Sequence, residues 1–189
     1  MRSLLGGDFL PLRELIAREL VRERPTLELG CGPGIFADLF APDDYVGVDP
    51  NARYIDHARK TRPGIFLVGA LGRVPLPKDR FDQVLIVERL HPLADPDASA
   101  LLGEALRMLS GGGRALLVER VMGARGLLGR LREHWGRPPR AAEDYRRLFR
   151  HRGRIERSET LTSGTSHYLA TVLAKEAPRA APGAARGSL

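Results

Sequence analysis

The residues best placed to do chemistry in this 189-residue chain lie in one short run, Leu27-Glu28-Leu29-Gly30-Cys31-Gly32-Pro33-Gly34. An apolar stretch carrying one acid breaks into glycines at every second position, which reads as a buried strand entering a tight turn and then a helix. Glycine supplies positive φ and lets a ligand approach without meeting a Cβ. A following helix would add free N–H groups at its mildly positive end. Such turns bind nucleotide-like ligands. A dinucleotide fingerprint, G-x-G-x-x-G, would need a glycine where Ile35 stands, so pyrophosphate recognition fits badly. Asp49 lies nineteen residues after Gly30, at the end of a second apolar run, Tyr45-Val46-Gly47-Val48-Asp49. An acid there accepts hydrogen bonds from ribose hydroxyls. His91 and His167 are the candidate bases, and His57 reads as a surface residue.

The elements that must position these groups alternate along the chain. An amphipathic helix over Phe9 to Arg22 carries Leu12, Leu15, Ile16 and Leu20 on one face, and Pro25 ends it. Then come the first strand, a short helix from Pro33 to Phe40, the strand ending at Asp49, and a helix beginning near Asn51. Two strands follow, Ile65-Phe66-Leu67-Val68 and Phe81 to Val87. Asp95-Pro96 caps a helix whose Leu101, Leu102, Ala105, Met108 and Leu109 share a face. Gly111-Gly112-Gly113 stops it before the strand Arg114 to Glu119. A helix around Ala141 to Arg150 leads to closing strands at Arg154-Ile155-Glu156-Arg157 and Ser166 to Leu173. This alternation predicts an α/β fold with a doubly wound, mostly parallel sheet and helices on both faces.

Length suits one domain with one substantial core. The expected organisation is residues 1–24 as an N-terminal helix covering the core, 25–175 as the domain proper, 122–140 as a lid insertion and 176–189 as a disordered tail rich in Ala, Pro, Gly and Arg. The single cysteine, Cys31, rules out an internal disulfide framework. No metal-ligand cluster is expected. No apolar run nears the roughly 18 residues of a membrane span, so the expectation is a cytoplasmic protein.

The formal charge is +7. Between Arg125 and Arg157 stand eleven arginines against Glu133, Glu143, Asp144 and Glu156, so this one segment carries the whole excess. Mixed with Leu127, Leu128, Leu131 and Trp135, its character suits an anionic or amphipathic partner, and it also keeps nucleic acid among the expected partners.

The pattern E-L-G-C-G-P-G from Glu28 to Gly34 resembles motif I of the class I S-adenosylmethionine-dependent methyltransferases. Three further stretches are similar to that family: Gly69-Ala70-Leu71-Gly72-Arg73-Val74-Pro75-Leu76-Pro77, where relatives read G-D-A-x-x-L-P-F-P; F-D-x-V at Phe81 to Val84 with L-H-x-L-x-D-P at Leu90 to Pro96; and the R-M-L-S-G-G-G-R-A-L-L-V junction. The resemblance implies a Rossmann-like sheet whose last strand is antiparallel, bringing Ser163, Thr165 and His167 to the ligand edge. It implies S-adenosylmethionine as cofactor. Glu28, Gly30, Cys31, Gly32 and Gly34 would hold the methionine end, Asp49 with Pro50 the ribose, Ala70 and Leu71 the adenine, and Val87 with Glu88 the region near the sulfonium. Ala70 replaces the family's aspartate, which accepts from the adenine amino group. Losing that bond costs on the order of 1–2 kcal/mol, about ten-fold in affinity. The implied activity is methyl transfer to a small or amphipathic metabolite. The alternatives are an RNA methyltransferase and a non-catalytic S-adenosylmethionine-binding scaffold with a degenerate adenine site. A base is required only if the acceptor must lose a proton.

Overall fold

The computed structural model describes residues 9–122 and 139–175. Its strands are β1 (Thr26–Leu29), β2 (Tyr45–Asp49), β3 (Ile65–Val68), β4 (Phe81–Val87), β5 (Leu109–Val121), β6 (Arg154–Ser163) and β7 (Ser166–Ala174). Its helices are α1 (Leu10–Glu19), α2 (Ala52–Thr61), α3 (Asp95–Met108) and α4 (Ala142–Arg150). The strands form one sheet in the order β3-β2-β1-β4-β5-β7-β6. Neighbours from β3 to β5 run parallel, and β7 alone runs against both its partners, β5 and β6. The expected doubly wound sheet with an antiparallel last strand is therefore present.

Residues of the central strands alternate between two cores because successive side chains leave opposite faces of a strand. Val84, Ile86, Ala115, Leu117, Leu169 and Leu173 meet α3 and α4 on one face. Leu85, Val87, Leu116, Val118, Ala170 and Val172 meet α1, α2 and Phe36 and Phe40 of the β1–β2 connection on the other. A sheet covered on both sides exposes only its strand ends. Ligands of such folds bind at the carboxyl ends, where the strand order reverses, here between β1 and β4.

Three local expectations are corrected. No α-helix forms over Pro33 to Phe40; the chain makes turns and a single 3-10 segment at Ala37–Leu39. Phe36 and Phe40 dive into the core there, and fifteen residues between β1 and β2 leave little length for a helix. The triple glycine lies inside β5 as its irregular start, beside a register shift between Phe81 and Gln83 of β4. Asp95 does not cap α3; Ala94 is the cap residue, without a side-chain bond, and Asp95 sits in the first turn, paired with Arg140. The lid expected at 122–140 falls largely outside the described residues, as do 1–8 and the tail 176–189. What is described is its base, where the Met122 amide donates to the Arg140 carbonyl at 3.2 Å.

The N-terminal helix is fastened by a buried amide side chain. Gln83 Oε1 accepts from the Val21 amide at 2.7 Å, while its Nε2 donates to the Val21 carbonyl and to Thr26 Oγ1, both at 2.8 Å. Gln83→Ala leaves several of these groups unpaired, at about 1–3 kcal/mol each. A urea denaturation midpoint should therefore fall by the equivalent of about 2–4 kcal/mol, whereas Asn51→Ala, which removes the α2 cap bond to the Arg53 amide, should cost about 1 kcal/mol.

Candidate functional site

The glycine turn leaves β1 at the carboxyl edge with φ of 82° at Gly30, 53° at Gly32 and 72° at Gly34. The amides of this turn are satisfied internally. Those of Gly30 and Cys31 both donate to the Val48 carbonyl, at 2.7 and 3.1 Å; that of Gly34 donates to the Cys31 carbonyl at 3.0 Å. The Gly32 amide donates to Asp49 Oδ2 at 2.9 Å. Pro33 has no N–H, and no helix begins here. The expected donor-rich, mildly positive cradle is thus absent, and the turn presents acceptors: the Gly30 carbonyl and the Asp49 carboxylate. Acceptors of this kind suit a ligand bearing an ammonium or hydroxyls.

The glycines of this region answer to different neighbours. A Cβ at Gly34 would stand 2.9 Å from the Phe66 ring, and one at Gly47 2.8 Å from Cys31 Sγ; these glycines serve packing. The three atoms nearest a Cβ at Gly30 all belong to Arg89, and a Cβ at Gly32 would meet only Arg89 within 4 Å. That side chain lies across the turn, with its Nε donating to the Gly30 carbonyl at 2.7 Å and Nη2 standing 3.5 Å from Asp49 Oδ2.

Asp49 is almost fully buried. Its Oδ1 accepts from the Asn51 amide at 2.8 Å, so one carboxylate ties the glycine turn to the start of α2. Glu28 lies beneath the turn, not on its surface. It is buried, accepts from the Tyr45 hydroxyl, and burial pushes its carboxyl from 4.5 up to about 7. A direct grip on a ligand is closed to it in this arrangement. Cys31 is buried with its thiol pushed well up by burial, in keeping with packing against Gly47. Pro50 and Ala70 are exposed at the same edge, and Leu71 is half-buried. Glu104 Oε1 accepts from the Val74 amide at 2.6 Å, and Arg107 donates to the Val74 and Leu76 carbonyls. This pair on α3 fixes the loop that carries Ala70 and Leu71.

Beyond β4, Val87 is buried and Glu88 takes a positive φ of 53°, a strained turn for a residue with a side chain. Its Oε1 accepts from Arg120 Nη2 at 2.9 Å. The next three residues are held by Glu119, fully buried near the end of β5. Its Oε1 accepts from the Arg89 and Leu90 amides, both at 2.9 Å, and its Oε2 from the His91 amide at 3.2 Å. His91 Nδ1 is buried without a hydrogen-bond partner, 3.8 Å from Glu119 Oε2. His167, on β7 opposite Val121 of β5, bonds through Nδ1 to Thr162 Oγ1 at 3.1 Å.

Residues 26–113 match the family model described as a methyltransferase domain, and the family's motif positions are the ones gathered at this edge. Over that stretch the chain is similar to methyltransferase domains. An uncharacterized protein of Mycobacterium tuberculosis is 35% identical over 113 residues, which cover 59% of this chain and 36% of that one; the chain therefore spans about a third of the curated relatives it matches. A solved S-adenosylmethionine-dependent methyltransferase of Methanosarcina mazei superposes with a TM-score of 0.71 at 19% identity, covering 87% of this chain and 98% of that one. The [4+2]-cyclase SpnF superposes at 0.74 with 18% identity, over 89% and 81%.

The residues at this edge fit S-adenosylmethionine, the cofactor that the sequence resemblance implies, through their acceptors: the Gly30 carbonyl and Asp49 carboxylate suit an ammonium and ribose hydroxyls, and the atoms nearest a Cβ at Gly30 or Gly32 belong to the Arg89 side chain. Sequence reasoning missed Arg89 and Glu119. An acid inside the apolar strand Ala115 to Val121 was the available signal for Glu119. Nothing in the sequence points the Arg89 side chain toward Gly30.

Glu28 gives the site a pH signature. Its folded value of about 7 stands above the ordinary 4.5, so the folded state holds the proton more tightly. Stability from this group is full below 4.5 and falls as pH rises toward 7, by up to about 3 kcal/mol. The difference between wild-type and Glu28→Gln denaturation free energies should show that slope between pH 4.5 and 7 and level off above it, since glutamine keeps an acceptor for Tyr45 without ionising.

Proposed function

We propose that this chain transfers the methyl group of S-adenosylmethionine to a small or amphipathic metabolite. The observation that carries the reading is the convergence of the Gly30–Gly34 turn, Asp49, Ala70–Leu71 and Val87–Glu88 on the carboxyl edge flanking the β1/β4 switch point. When bound, the cofactor supplies an activated methyl group on a sulfonium. The chain's contribution is alignment and a dry surface. The Gly30 carbonyl takes the ammonium and Asp49 the ribose hydroxyls. The backbone at Ala70 and Leu71 borders the adenine, with no side-chain acceptor for its amino group. Glu28 acts from below by setting the charge under the turn, and Cys31 and Pro50 shape the walls.

His91 is the proposed base where the acceptor must lose a proton. Its Nδ1 faces the Glu119 carboxylate at 3.8 Å and is buried, while the ring is 19% exposed through its other atoms. A carboxylate behind one imidazole nitrogen favours the tautomer that leaves the other free to accept a proton. His167 stands as an alternative on β7.

The metabolite reading is favoured over RNA by the partners of the basic segment. Arg140 pairs with Asp95, Arg146 and Arg150 with Glu143, Arg147 with Asp144, Arg154 with Glu156 and Arg157 with Glu19. Arginines engaged by acids offer less to phosphates. A binding protein without transfer is the second reading, and Ala70, where the family carries an aspartate, is the observation that favours it.

Two measurements separate these. Asp49→Asn should weaken binding of S-adenosylhomocysteine, the demethylated product, about ten-fold by calorimetry; unchanged affinity would remove Asp49 from the site. In a screen of small anionic and amphipathic acceptors with labelled cofactor, His91→Ala should lower turnover about 100-fold or more while product affinity holds. Tight binding with no transfer to any acceptor would replace the enzyme reading with the scaffold.

A further inference from the structure

Arg89 occupies the surface that the cofactor reading assigns to a ligand. Its main chain is fixed: Glu88 turns the chain with positive φ, and Glu119 Oε1 takes the Arg89 amide at 2.9 Å. From that point the stem lies flat against Gly30, so a Cβ there would stand 2.6 Å from both Cγ and Cδ and 2.3 Å from Nε. The guanidinium satisfies the Gly30 carbonyl at 2.7 Å and reaches toward Asp49 Oδ2 at 3.5 Å. The side chain is 35% exposed, with open solvent on its outer side.

We propose that Arg89 is an internal occupant of the cofactor groove, which must swing out to admit S-adenosylmethionine and thereby sets cofactor affinity. The proposal rests on the cofactor reading above.

Three physical arguments converge on it. The first is shared acceptors: the Gly30 carbonyl and the Asp49 carboxylate are what the cofactor's ammonium and ribose hydroxyls need, and Arg89 already addresses both. The second is volume, because the stem covers the face of Gly30 that the missing Cβ leaves open. The third is charge. A guanidinium stays protonated at any working pH, so the ligand's ammonium cannot take the Gly30 carbonyl beside it without like-charge repulsion. The seat is also easily vacated: one hydrogen bond and one long ion pair hold a partly exposed side chain. Apparent affinity falls in proportion to the open fraction, so an Arg89 seated nine times in ten weakens binding about ten-fold.

The test is calorimetric titration of wild type, Arg89→Ala and Arg89→Met with S-adenosylhomocysteine, which lacks the sulfonium charge and so reports the seat itself. Arg89→Ala should bind about five- to twenty-fold more tightly, with Arg89→Met, which keeps a stem, in between. In wild type, the Arg89 Nε–H signal in a nitrogen–proton spectrum, assigned by its loss in Arg89→Lys, should be protected from solvent exchange without ligand and lose that protection at saturation. This readout stands even if Arg89→Ala fails to fold. Wild-type binding with equal or weaker binding by both variants, or a signal that ligand leaves protected, overturns the proposal and leaves the cofactor reading intact. Absence of binding by wild type and both variants at millimolar ligand overturns both.

Discussion

The ligand edge depends on how the glycine turn disposes of its own amides. Val48 receives two of them, Asp49 a third and Cys31 the fourth, so the turn is locked to β2 before any ligand is considered. With its donors spent, the turn is left with an acceptor, the Gly30 carbonyl beneath Arg89, and the buried Asp49 adds a carboxylate. That sign is the opposite of a phosphate-binding loop. The same loop architecture can therefore serve either ligand class, and which one depends on whether a helix follows and whether the amides remain free.

Two buried carboxylates extend that frame outward. Asp49 joins the turn to the start of α2, and Glu119 collects three consecutive amides from the segment that leaves β4. Removing either carboxylate would take from several backbone N–H groups the acceptors they now have. Glu119 thus places Arg89 and His91 together: the first over the glycine turn, the second with its ring nitrogen toward the same carboxylate. Placement of the groove's occupant and of the proposed base is one structural event.

Net charge is a weaker guide to partners than the pairing of charges. The basic segment looks in composition like a polyanion surface. In the described part of the fold, six of its seven arginines meet acids, on α1, on α3, within α4 and within β6, and Arg152 meets the Ser99 hydroxyl. The superposition on a cyclase as well as on a methyltransferase makes the same point about architecture: a fold provides the edge, and side chains at the edge decide the chemistry.

The sequence by itself determined the sheet and its helical covers, because those follow from local signals: apolar periodicity, glycine spacing, and acids and prolines at element ends. Glu28, the Gly30–Gly34 turn and Asp49 were legible as a unit for the same reason. What only the tertiary structure decided was where side chains and amides go across the sheet. The helix expected after Gly34 gave way to the burial of Phe36 and Phe40. Glu28 went beneath the turn to Tyr45, two strands that meet only in the sheet. Arg89 reached Gly30, fifty-nine residues away in sequence, and Glu119 reached back about thirty residues to the loop carrying it. Such contacts carry no periodicity, since their partners are adjacent only after β1, β4 and β5 have paired, and it is these contacts that set the charge and the open volume of the site.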